Sequence, residues 1–175
     1  MEYPADDGDG YVPDDGKAAG LTAALRPGPG LEALTLSVHR PEDVGDRVHA
    51  ALFGDPLQRL AFVALLEHDS VHEAVESASP EVASLLRRVI VEEPVAGDPE
   101  LGEAVDSVVT VLLRGAVRRA LAEVEVQSRA VDDSWQLRAA ETAQVRLWLD
   151  QLEDPTAGRD AADRLVAWLV ERDRE

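Results

Sequence analysis

The sequence predicts an all-α fold: a small multi-helix bundle, then a long helix, then a C-terminal antiparallel helical hairpin. Three observations carry that expectation. From Leu31 onward, apolar residues recur at threes and fours, and the Val-rich stretches follow this spacing rather than the alternation of a strand. Helix starts are announced by a repeated device, a capping residue or turn followed by proline, at Pro41, Asp55-Pro56, Ser79-Pro80, Asp98-Pro99 and Asp154-Pro155. Proline fits the first helical position because its missing N–H is not needed there, and an Asp or Ser before it accepts an otherwise orphaned N–H. Finally, 45% of the 175 residues are apolar but only 4% are aromatic, so the core must be Leu, Val and Ala.

Residues 1–30 stand apart. They hold six acids, two bases and many Gly and Pro, with no apolar period beyond a short patch from Leu21 to Leu25. Such a composition buries too little apolar surface to offset its ordering entropy, so a disordered acidic linker is expected, ending in the hinge Arg26-Pro27-Gly28-Pro29-Gly30. A linker connects two things, so the chain reads as the tail of a longer protein. Residues 31–130 are expected to form the bundle and its long connecting helix, with helices near 31–38, 41–52, 56–67, 71–77, 80–92 and 99–130. Ser70 with Glu73 forms a capping box before the fourth of these. The last spans thirty-two residues, about 48 Å at 1.5 Å each, longer than the bundle needs. Residues 131–175 are expected to form the hairpin, with helices near 134–153 and 158–173.

That hairpin is the candidate binding element. All three tryptophans, Trp135, Trp148 and Trp168, sit in it. Val145, Trp148, Leu149 and Leu152 line one helix, and Ala161, Ala162, Leu165, Val166, Leu169 and Val170 the other. Two helices enclose no core of their own, and aromatics are favoured at interfaces. Trp148, Leu165, Trp168 and Leu169 are therefore the expected partner-binding residues, with packing on the long helix as the competing role.

Composition excludes other classes. A formal net charge of −18 repels nucleic-acid phosphates, so no strong direct binding of nucleic acid is expected. No Cys is present, which removes disulfides, thiolate zinc sites and a Cys nucleophile. No run reaches the roughly 18 apolar residues of a membrane span, and the acidic start is no signal peptide. A cytoplasmic location is expected. There is no phosphate-binding Gly loop and no nucleophile elbow. His49, His68 and Asp69 echo the His/Asp metal sites of helical hydrolases, and Asp46 with His49 and Asp69 with His72 echo di-iron spacing. Solvated loops and helix ends are the favoured alternative for all of them, so no cofactor, no metal and no catalytic residue is expected.

The stretches Leu31–Glu42, Ala51–Pro56 with Arg59–Phe62, Leu85–Pro94 and Leu113–Leu121, followed by the closing hairpin, resemble in order the C-terminal helicase-binding domain of bacterial, actinobacterial-type DNA primase. The resemblance covers about residues 31–175 and rests on helix order and apolar phrases rather than on an invariant motif. It implies a hairpin that docks on the N-terminal domains of the hexameric replicative helicase and couples primer synthesis to unwinding. The zinc-binding and polymerase domains of such a primase have no counterpart in this sequence. A helicase N-terminal-domain-like assembly module, which shares the bundle, is the nearest alternative.

Overall fold

The computed structural model describes residues 15–92, 101–127 and 135–174; a few side chains at helix ends within these spans are also not described. The described residues form nine α-helices, two short 3-10 turns and no strand. The helices are α1 (Asp15–Ala24), α2 (Pro29–His39), α3 (Pro41–Val44), α4 (Pro56–Glu67), α5 (Val71–Ser77), α6 (Pro80–Val91), α7 (Leu101–Gln127), α8 (Trp135–Gln151) and α9 (Gly158–Arg172).

The proline device works as the sequence predicts for α4 and α6. Asp55 Oδ1 accepts from the backbone N–H of Leu57 at 2.9 Å and of Gln58 at 3.0 Å, with Pro56 at the first position. Ser79 caps α6 in the same way through Val82 N–H, and Ser70 caps α5 through Glu73 N–H. Each cap of this kind contributes about 1 kcal/mol.

Helix α2 is the centre of the molecule. Leu31, Ala33, Leu34, Thr35 and Leu36 are all buried, so the helix is enclosed on nearly every face rather than along one stripe. It packs on α4 and α6 on one side and on α7 on the other. Its one buried hydroxyl costs little, because Thr35 Oγ1 donates back to the Leu31 carbonyl at 2.9 Å. The His39 ring nitrogen Nε2 donates to the carbonyl of Val89 at 3.1 Å, which ties the end of α2 to α6. Phe53 and Phe62 meet with ring centroids 5.0 Å apart at the edge of this core.

Two expectations are corrected here. Residues 1–30 are not wholly a linker: residues 15–24 form α1, which lies on α4 and α6, while residues 1–14 fall outside the described residues. Ala24 is fully buried, and its carbonyl accepts from Gln58 Nε2 at 2.7 Å. Local composition carries no trace of that neighbour. The expected hinge is instead the start of α2, with Pro29 at its first turn, and a methyl group at Gly30 would run into the Gln58 amide. The expected helix 41–52 is likewise broken. Gly45 takes φ +46° and ψ −138°, so α3 ends after one turn and the chain continues as 3-10 turns at Gly45–Arg47 and Ala50–Leu52.

The long helix is present as α7, twenty-seven residues or about 40 Å; the rest of its expected span lies outside the described residues. Arg119 locks it to the second 3-10 turn by donating from Nη2 to the Leu52 carbonyl at 2.7 Å. Burial lowers the Arg119 pKa from its ordinary value, opposed by the nearby Glu123 carboxylate. Gly54 makes room for this: a Cβ there would sit 2.7 Å from the guanidinium carbon. Leu34 is fully buried, whereas Leu60 is 56% exposed. Leu34→Ala should therefore lower unfolding free energy by about 2–5 kcal/mol in urea titration, and Leu60→Ala should change it by less than about 0.5 kcal/mol.

Candidate partner-binding surface

Helices α8 and α9 pack against each other as the predicted hairpin, and both rest on α7. Their turn is built locally. Asp154 Oδ1 accepts from the backbone N–H groups of Thr156 at 2.8 Å and Ala157 at 2.9 Å. The Asp154-Pro155 pair makes this turn rather than a capped first helical turn, and α9 begins at Gly158, its expected start, with no side-chain cap. Gly158 is required by close approach, because a Cβ would lie 2.7 Å from the Leu152 carbonyl oxygen.

The hairpin is fastened to the body in two ways. Val145, Leu165 and Leu169 belong to the same continuous apolar cluster as Leu34 of α2 and Leu113 of α7. Around that seam run exposed ion pairs: Arg114 with Glu153 at 2.8 Å, Arg146 with Glu125 at 2.6 Å, and Arg59 of α4 with Asp173 beyond α9. Exposed pairs of this kind contribute at most about 1 kcal/mol each. Apolar burial therefore holds the hairpin down, and the ion pairs orient it.

The four expected binding residues separate into two groups. Leu165 is fully buried and Leu169 is 5% exposed, so neither is presented to a partner in this conformation. They lie in the predicted stripe, but the stripe faces the chain's own body. Trp148 and Trp168 are only partly buried and pack on the outside of that core. Trp168 is the more elaborated of the two. Its Nε1 donates to Glu141 Oε1 of α8 at 2.5 Å, and the Arg172 guanidinium lies 5.3 Å from its ring centroid. The Trp148 N–H is buried and finds no acceptor among the described residues. Sequence reasoning missed Leu147, which is 50% exposed on α8. It falls outside the stripe of Val145, Trp148, Leu149 and Leu152, and that displacement was the available signal. The side chain of Trp135 lies outside the described residues.

The candidate metal residues do not converge. His49 and Asp69 are exposed. His68 is engaged elsewhere: its Nε2 donates to Ser77 Oγ at 2.6 Å, and Ser77 Oγ in turn donates to the Glu73 carbonyl at 2.7 Å. This links the end of α4 to α5. Among the described residues no group of three or more His, Asp or Glu side chains is arranged to hold a metal ion. No described helix is long and apolar enough to cross a membrane.

No protein-family model matches the chain, and neither the curated proteins nor the solved structures contain a match to it.

The turn carries a pH signature. Its two backbone N–H donors hold the Asp154 carboxyl below the ordinary carboxylate range. A lowered folded-state pKa adds stability above the unfolded value, about 3.9, and that stability is lost as pH falls through the folded value. Asp154→Ala should therefore lower the melting temperature at pH 7, with the difference from the parent chain shrinking below about pH 4. Circular-dichroism melts of both proteins across that range measure it.

Proposed function

We propose that this chain is a protein-binding module, related to the C-terminal helicase-binding domain of bacterial DNA primase, that docks on the N-terminal domains of the replicative helicase. In this reading it acts in the cytoplasm, joining primer synthesis to unwinding during DNA replication, and carries no catalytic step itself. The observation that carries the reading is the apolar surface left on the hairpin after the core is filled: Trp168 and Trp148, partly open, and Leu147, half exposed.

Physical arguments favour a protein over other partners. The ring of Trp168 is held by Glu141 and Arg172, so its rotamer is set before any partner arrives and less entropy is lost on docking. Partly exposed tryptophans on a rigid scaffold are the kind of side chain that dominates binding energy at protein interfaces. The net charge of −18 disfavours nucleic acid and steers approach toward basic surfaces, which makes association depend on salt. The helix order and apolar phrases that resemble the primase domain narrow the partner to the helicase.

The test is co-elution of the chain with the hexameric helicase of its own organism, followed by calorimetric titration. A stable complex is expected. Trp168→Ala should weaken it at least about tenfold, roughly 1.4 kcal/mol, with helicity nearly unchanged and the urea midpoint lowered by the lost packing and the lost bond to Glu141. Absence of any complex between the parent chain and the helicase would end the proposal.

A further inference from the structure

A groove runs between the bundle and α9. Its floor is apolar: Val109 and Leu113 of α7, Leu152 after α8, and Ala162 and Val166 of α9. Its volume is about 720 Å³. Two features of the fold open it. The groove side of α9 carries the small residues Gly158, Ala162 and Ala167, and the break at Gly45 brings Asp46 and Arg47 onto the rim.

The rim is charged and unbalanced. Asp46, Asp106, Asp154 and Asp163 face Arg47 and Arg159, four negative charges against two positive, a net −2. Arg47 is engaged by Asp106 at 2.5 Å, so Arg159 stands against three remaining carboxylates. The surface is distinct from the tryptophan face. Arg159, Asp163 and Val166 lie about 140–180° around α9 from Trp168 at 100° per residue, and the groove comes nearest to that face at Ala167, about 100° away.

We propose that this groove is a second docking surface, which takes a basic amphipathic helix of another protein. An apolar floor between acidic rims complements a helix with apolar residues at threes and fours flanked by Lys or Arg. This chain is a poor source of such a helix. Residues 1–14 carry five acids and no base, residues 93–100 three acids and no base, and residues 128–134 two acids and one base. A second copy would bring a charge of −18 against −18. None of these segments supplies such a helix, and the occupant proposed is a basic segment of a different molecule. The groove and the tryptophan face are independent, so one survives the failure of the other.

The probe is a synthetic leucine–lysine peptide about five turns long with leucines at helical spacing, titrated into the isotope-labelled full chain. A control peptide has the same composition with its leucines shuffled. Saturable binding is expected, with amide shifts concentrated at residues 109–113 and 159–167 and an affinity that falls with salt. The shuffled peptide should bind at least about tenfold more weakly. Ala162→Trp fills the groove and should weaken binding to a similar extent. Asp163→Arg lies on the exposed rim, keeps the fold and should weaken binding at least about threefold, which covers the case in which the tryptophan disturbs folding. Equal binding of both peptides, shifts spread over the acidic surface or centred on Trp168, or an Asp163→Arg variant that binds like the parent would each overturn the proposal. So would self-association of the free chain through this groove, or occupation by a small molecule alone.

Discussion

One aliphatic seam holds this molecule together, running from α4 and α6 through α2 to α7 and on to α9. Leu34 in α2, Leu113 and Val117 in α7, and Val145 and Leu165 in the hairpin are all essentially inaccessible to solvent and belong to one cluster. With few aromatics available, each helix contributes small, well-defined side chains, and contact depends on close approach of backbones. That explains why glycine matters where it does. Gly30 clears the Gln58 amide, Gly54 clears the Arg119 guanidinium, and Gly158 clears the Leu152 carbonyl. The hairpin is thus a continuation of the bundle's core, and its outer face is held as a platform.

Charge plays a different part. The chain carries 35 acids against 17 bases, and several arginines join separate elements: Arg47 to α7, Arg59 to the end of α9, Arg114 and Arg146 across α7 and the hairpin. The pairs of Arg59, Arg114 and Arg146 select one orientation of the hairpin while adding little stability in solvent. The remaining carboxylates dominate the surface. Basic partners are therefore favoured at long range, and apolar side chains on the hairpin and in the groove decide where they settle.

Much of the fold was legible because its signals are local. Asp55-Pro56 and Ser79-Pro80 start α4 and α6 through bonds spanning two or three residues, and the apolar spacing of α7 and α9 survives any tertiary context. What escaped depends on distant residues. Helix α1 exists because α4 and α6 offer it a surface, with Gln58, thirty-four residues away, donating to the carbonyl of Ala24 at its end. The stripe of Leu165 and Leu169 was visible, but whether it faces the body or a partner is decided by α7 and the Ala50–Leu52 turn, both remote in sequence. The groove was invisible for the same reason, since its walls come from a 3-10 turn, α7 and α9. Gly45 is a plain local breaker inside the expected helix 41–52.

The central claim is that bundle and hairpin share one core, so that the tryptophan face is a rigid platform and not a loose appendage. Native-state hydrogen exchange of the free chain tests it most directly. The account predicts that amides around Leu165 in α9 and around Leu34 in α2 exchange through the same global opening, with equal free energies and equal dependence on denaturant. Exchange of the α8 and α9 amides through a separate, lower-energy opening that leaves α2 protected would contradict it.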